Sequence, residues 1–158
     1  MSKSSETIHI AGAGVGGLAA ATALQSQGVP VVVYDRAERL DDALADDLAR
    51  LAIGTVRLTE EVVGFEQRDT DVVVRFADGG SDTGALLVGA DGLRSTIRAA
   101  MAHCREHARV TLLGDAAHPA RQGASEALAD ARVLGAAVNA YGPGPAAVAV
   151  YERLRLRR

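Results

Sequence analysis

Along this chain, short continuous apolar runs alternate with segments whose apolar positions recur every three or four residues. TIHIA, residues 7–11, predicts a first strand, and the turn GAGVGG leads directly into LAAATALQSQG, an Ala-rich helix stopped at Gly28. VPVVVYD is a β-branched run of the kind covered on both faces, and it predicts a second strand ending at Asp35. In the next segment Leu40, Leu44, Leu48 and Leu51 share one helix face, closed by Gly54. From TVRL through EEVVGFEQ, DVVVRFAD and DTGALLVGAD the pattern is strand after strand, with RDTD and DGGS as turns, which predicts a small antiparallel meander. LLVGAD and TLLGD share one design, a buried run that stops at a small residue and an aspartate, Asp91 and Asp115. Helical patterns follow each of them, RSTIRAAMAHCREH and SEALADARVLGAAVNAY. GPGP at 142–145 breaks the chain before a last short helix, AAVAVYERLRLRR.

These elements predict an α/β fold: a Rossmann-like parallel sheet of about five strands in the order 3-2-1-4-5, helices on one face and the meander crossing the other. The 158 residues suit a single domain, 1–158, able to bury a real core. A formal net charge of -3 excludes a global basic field for nucleic acid or an anionic membrane, and the basic end YERLRLRR reads as a solvated helix terminus. The single cysteine, Cys104, cannot form an internal disulfide. No apolar run approaches a membrane span and MSKSSET is not a signal peptide, so the expectation is a cytoplasmic protein.

Gly12, Gly14 and Gly17 form G-x-G-x-x-G after a strand and at the opening of a helix, with Val15 and Gly16 completing the turn. The first glycine permits a tight turn, the second lets backbone approach a pyrophosphate, and the third lets helix and strand pack closely. The helix start adds unpaired N–H groups and a partial positive charge. Asp35, at the tip of the second strand, is placed to accept hydrogen bonds from the hydroxyls of an adenosine ribose. A nicotinamide dinucleotide satisfies all of this, so the choice of cofactor rests on the later aspartates.

GAGVGGLAAATAL, VVVYDRAERL, LLVGADGLRSTIR and VTLLGDAAHP resemble the successive FAD fingerprints of the class A flavoprotein monooxygenases, the aromatic-ring hydroxylases. D-G-x-R-S-x-x-R (Asp91 to Arg98) and G-D-A-A-H-P (Gly114 to Pro119) are the specific parts of the match, which covers nearly the whole chain. The resemblance implies a glutathione-reductase-type FAD-binding domain. It implies that Asp115, beside Gly114, bonds the ribityl or ribose-pyrophosphate portion of FAD. Gly123, Ala124 and Ser125 would aim backbone N–H groups at the N1–C2=O edge of the isoalloxazine. Asp91 and Arg94 would support the pyrophosphate region and touch a nicotinamide donor, NAD(P)H; a carboxylate capping a helix and pairing an arginine is the alternative reading. Arg36 would lie near the adenosine, and Val63 would present backbone to the adenine.

The departures from the family matter equally. A substrate domain of well over a hundred residues normally separates the two aspartate fingerprints, and here only a short connection, 99–108, intervenes. The usual R-x-x-L arginine falls on Ala45, and E-D-A becomes ADA at 129–131. The expectation is therefore an FAD-binding domain, minimised or engineered, that keeps the cofactor cradle without hydroxylase activity and has at most weak NAD(P)H oxidase or electron-transfer activity. A flavin-dependent oxidoreductase completed by a partner chain and an NAD(P)-binding Rossmann protein remain the alternatives, and a homodimer is compatible with the lost domain contact. No catalytic residue is assigned. HCREH places His103 and His107 at helical i and i+4 beside Cys104, but without a third ligand no metal site is expected. His118 reads as fixed by its turn beside Pro119, and Ser95 and Ser125 lack a His/Asp partner set.

Overall fold

A computed structural model describes residues 6–41, 55–121 and 123–156. Strand β1 (Ile8–Ala11) leads through the glycine turn into helix α1 (Val15–Gln25) and returns as β2 (Val31–Tyr34), a right-sized βαβ unit. Three further strands complete a five-stranded sheet: β3 (Val56–Arg57), β7 (Leu86–Gly89) and β8 (Val110–Leu112), in the order β3-β2-β1-β7-β8. Every pairing in it is parallel, with Ile10 level with Val33 on one side and Val88 on the other. A second, antiparallel sheet holds β4 (Val62–Gln67), β5 (Val72–Phe76) and β6 (Ser81–Gly84).

Both faces of the parallel sheet are covered, which is why its strands read as unbroken apolar runs. Ile8, Ile10, Val33, Leu86 and Val88 face Leu18, Leu24, Leu134, Val138 and Tyr151. Those partners come from α1, α3 (Ala124–Tyr141) and α4 (Pro145–Arg155). Gly135 lets α3 approach α1 closely, because a Cβ there would lie 3.1 Å from that of Ala23. On the opposite face Ala11, Tyr34, Leu87 and Val110 pack under Val72, Val74 and Phe76 of the meander.

Four sequence expectations are corrected. The meander run loses both ends to the parallel sheet: Val56–Arg57 becomes its edge strand, and DTGALLVGAD divides at the buried Ala85 into β6 and β7. The helix predicted through HCREH ends at Met101 (α2, Thr96–Met101), with 102–109 running as turns and loop into β8. Since His103 and His107 share no helix, the i, i+4 geometry does not arise. Finally, α2 packs on the meander side, where Ile97 joins the second core, so the helices do not all share one face. The leucine-patterned helix lies, from residue 42 to 54, outside the described residues, as does Ala45.

Candidate functional site

The carboxyl ends of β1, β2, β7 and β8 converge on one trough, the edge where parallel α/β sheets receive ligands. At one end lies a cavity of about 400 Å³ lined by Gly12, Tyr34, Asp35, Arg36, Glu60, Glu61, Val62, Ala90, Asp91 and Arg94. Asp35 is held from two sides: Ala13 N–H donates to its Oδ2 at 2.8 Å and Ala37 N–H to its Oδ1 at 2.9 Å. Each oxygen retains a further lone pair for a hydroxyl donor. The segment after β3 folds back on this corner, with Thr59 N–H donating to the Ala37 carbonyl and Glu60 N–H to that of Asp35, both at 3.0 Å. The turn forces Thr59 to a φ of 58°, a strained value for a β-branched residue, and it sets Glu60 and Glu61 at the cavity rim. Sequence reasoning named Asp35 and Arg36 and missed these two acids, whose TEE triplet carries no motif. Val63, the residue expected at the adenine, is exposed beside the lining residue Val62 and is itself outside the lining, where the β4–β5 register shifts between Val62 and Gly64.

The glycine turn separates this cavity from a second one. Gly12 has a φ of +107°, and a Cβ there would lie 2.3 Å from the Ala90 carbonyl oxygen. A Cβ on Gly17 would lie 1.8 Å from the Gly12 carbonyl oxygen, so both glycines are required by packing. Gly14 differs: its φ is an ordinary -77° and a Cβ would meet nothing within 4 Å. The space above it is open to a ligand. Gly14 is also the N-cap of α1 and offers no side-chain cap, and the first turn contains no acid. The early N–H groups therefore face the trough with the positive end of the helix dipole behind them.

The far end is a cavity of about 190 Å³ lined by Val15, Gly16, Ala90, Gly92, Leu113, Gly114, Asp115, Gly123, Ala124 and Ala127. Ala90 lines both cavities, which makes them the two ends of one trough. The N-terminus of α3, capped only by the backbone of Gly123, opens here, and Gly123, Ala124 and Ser125 are exposed. Asp115 sits in a single 3₁₀ turn, Gly114–Ala116, and its Oδ1 accepts Gly123 N–H at 3.2 Å.

Asp91 has a local task. Its carboxylate accepts from the Ser95 hydroxyl, from Thr96 N–H at 2.8 Å and from Ile97 N–H at 3.2 Å, capping α2, while Ser95 Oγ accepts Arg98 N–H at 3.0 Å. The Arg98 guanidinium then donates to the carbonyls of Leu93, at 2.6 Å, and Ala116, at 2.8 Å. D-G-x-R-S-x-x-R thus ties the ends of β7 and β8 together. Its remaining arginine, Arg94, is exposed and lines the larger cavity together with Asp91.

Two buried polar groups were not predicted. Asp130 is fully buried and receives Gly114 N–H, Arg155 and His118. Its ligand-like cluster with His118 and Glu126 would suit a cation by distance alone, but the Arg155 guanidinium already bridges both carboxylates. Beneath the trough, His9 Nδ1 lies 2.9 Å from the Tyr34 hydroxyl, which donates to Asp82 at 3.0 Å. Burial and then the Asp82 carboxylate hold Tyr34 protonated, while His9 Nε2 is buried with no hydrogen-bond partner within bonding geometry. Burial lowers the His9 pKa against the opposing pull of the Thr83 backbone and Asp82.

A glycine turn at a helix start, an acid closing the second strand and further strand ends in line define a dinucleotide-binding α/β domain. Comparisons agree: residues 10–40 match the family described as NAD(P)-binding Rossmann-like domain. Over 78 residues the chain is 36% identical to 3-amino-4-hydroxybenzoate 2-monooxygenase PtnB3 of Streptomyces platensis, and over 76 residues 42% identical to the aurachin C monooxygenase/isomerase of Stigmatella aurantiaca. These matches take in 49% and 46% of this chain but only 19% and 18% of those proteins. In fold, the chain is similar to Klebsiella pneumoniae HpxO, solved with FAD and uric acid, at a TM-score of 0.80 and 17% identity, the alignment running over 95% of this chain and 84% of that one. FqzB gives a TM-score of 0.85 at 14% identity, over 95% of this chain and 79% of that one. The chain is thus similar to two monooxygenases over about half of its own length, spans less than a fifth of theirs, and shares the fold of FAD-complexed HpxO. Among the described residues no helix is long and apolar enough to cross a membrane.

Proposed function

We propose that this chain is an FAD-binding domain in which the dinucleotide lies extended along the trough. The observation that carries the reading is the pair of cavities meeting at Ala90 on either side of a glycine turn with open space above Gly14. Asp35 would accept the adenosine ribose hydroxyls, with Arg36 beside the adenosine. The α1 N-terminus, Gly12 to Gly17, would receive the pyrophosphate, with Arg94 as a nearby cation. Asp115 would hold the ribityl or ribose-pyrophosphate portion, and the N–H groups at Gly123, Ala124 and Ser125 would face the ring. Bound FAD would supply electron transfer between a reduced donor and an acceptor. The α3 N-terminus, if it faces the ring, would favour the reduced, more negative flavin.

Hydroxylation is a different matter, since it needs a closed, water-poor chamber over the ring. The ring-end residues Gly123, Ala124 and Ser125 are exposed, and a ten-residue connection stands where the family's substrate domain would begin. We therefore propose cofactor binding with at most weak NAD(P)H oxidase or electron-transfer activity and no coupled hydroxylation. The match of residues 10–40 to an NAD(P)-binding domain supports one other reading, a nicotinamide-binding protein. Titration of the purified chain with FAD, NAD⁺ and NADP⁺ separates the two. Tight FAD binding, seen as quenched and shifted flavin absorption and fluorescence, is expected, and binding of a nicotinamide dinucleotide with no binding of FAD would overturn the proposal.

A further inference from the structure

Asp130 lies in the second turn of α3, outside both cavities, and its side chain has no exposure at all. Its Oδ2 accepts Gly114 N–H at 3.0 Å, the first residue of the turn that carries Asp115. His118 Nε2, at the far end of the same turn, lies 3.0 Å from that oxygen and 3.3 Å from Oδ1. Both ends of the G-D-A-A-H turn are therefore pinned to one carboxylate. Arg155, in the last turn of α4, donates from Nε to Asp130 Oδ1 at 2.6 Å and from the guanidinium fork to Glu126 Oε2 at 2.7 Å. Glu126 belongs to the first turn of α3, the turn that opens on the ring-end cavity.

A buried carboxylate with three donors of different origin is costly to keep unless each is held in place. The consequence is geometric. Gly114 has a φ of +66°, and its carbonyl closes the turn by accepting Ala117 and His118 N–H, each at 2.9 Å. A hydrogen bond that anchors the Gly114 amide sets the direction in which Asp115 leaves the strand. The same guanidinium fixes the α3 N-terminus relative to that turn. None of Asp130, His118, Glu126 and Arg155 lines the adenosine cavity, whose lining comes from the ends of β1, β2 and β7, the turn into α2 and the start of β4; the pinned turn meets that side through one bond, from Arg98 to the Ala116 carbonyl.

We propose that Asp130 and Arg155 are positioning residues that hold Asp115 and the α3 N-terminus in register for the ring end of the bound dinucleotide. This rests on the FAD reading above. An ion pair kept only for stability would affect every ligand of the trough alike, whereas a positioning pair acts on the ring end alone. The test is the dissociation constant of FAD and of ADP, which shares only the adenosine and pyrophosphate, for the wild type, Asp130→Asn and Arg155→Met. Asp130→Asn keeps the shape and an acceptor for Gly114 but turns an amide donor toward Arg155 and His118. Arg155→Met removes the fork from a partly exposed side chain and leaves Asp130 in place, so it decides the matter if Asp130→Asn does not fold.

Both variants are expected to weaken FAD by about tenfold or more while ADP stays within about twofold. Equal weakening of FAD and ADP, or unchanged FAD affinity in a folded variant, would overturn the inference alone. Failure of the wild type to take FAD would overturn the functional reading and this inference with it.

Discussion

Gly14 and Gly17 stand three residues apart in one turn, yet their alanine variants should behave in opposite ways. Gly17→Ala drives a Cβ to 1.8 Å from the Gly12 carbonyl oxygen, backbone that cannot move aside, and should cost about 3 kcal/mol or more in urea unfolding. Gly14→Ala meets no atom and keeps an allowed φ. Lower unfolded-state entropy then offsets the poorer N-cap, and stability should change by less than about 1 kcal/mol. Its FAD affinity should nonetheless fall, because the methyl occupies the approach to the α1 amides. Unchanged FAD binding in Gly14→Ala would remove the pyrophosphate from that position. His9 makes a separate prediction about acid. Its folded-state pKa lies below the ordinary value of 6.5, so the unfolded chain binds the proton more readily. The contribution of neutral His9 is present above 6.5 and is lost as pH falls through that value toward the folded-state one. Thermal unfolding of the wild type and His9→Gln between neutral and mildly acid pH should show a flatter acid slope in the variant.

At the level of elements, helix α2 is the instructive case. Six residues cannot sustain a helix by propensity. Its free N–H groups are instead satisfied by Asp91 and Ser95, and Ile97 anchors it in the core. Ser95→Ala should cost about 1 kcal/mol, and Asp91→Ala, which frees a hydroxyl and two amides, about 2 kcal/mol, both read from the urea midpoint at constant slope. If Asp91→Ala proved neutral, the cap would not be what orders the D-G-x-R-S-x-x-R segment. The capping reading of Asp91 and a role beside the pyrophosphate share one carboxylate, which lines the larger cavity while holding the helix.

In the molecule as a whole, the trough is better built at one end than the other. The larger cavity is bordered by the ends of three strands, β1, β2 and β7, and by a strained return segment, whereas the cavity of about 190 Å³ at the other end is bordered by exposed residues. Val15, Leu93 and Leu128, each more than a third exposed, belong to or adjoin residues of that border. Bound flavin should therefore be open to solvent. Iodide quenching of its fluorescence is expected to approach that of free FAD, and reoxidation of the photoreduced protein by oxygen should be rapid. Strong protection from both would show that a cover exists, formed by a second copy or another chain.

Much of this architecture was legible in the one-dimensional pattern. The βαβ opening, the glycine turn and the aspartates at the strand ends follow from local periodicity and from motifs whose spacing is set by backbone geometry. The residues that escaped detection are those whose partners are distant in sequence. Asp130 is an acid in an ordinary helical pattern until Gly114, His118 and Arg155 surround it, and Glu60 becomes a rim residue only because Thr59 is turned back against Ala37. Likewise, DTGALLVGAD contains no signal at Ala85 for its division between two sheets, because that break depends on which neighbours supply the hydrogen bonds. Sequence alone determined what is periodic or local: the βαβ opening, the long helices and the glycine turn at the start of α1. Only the tertiary structure decided which buried charges meet and how open the ring end is, since burial and pairing depend on the whole set of surrounding atoms.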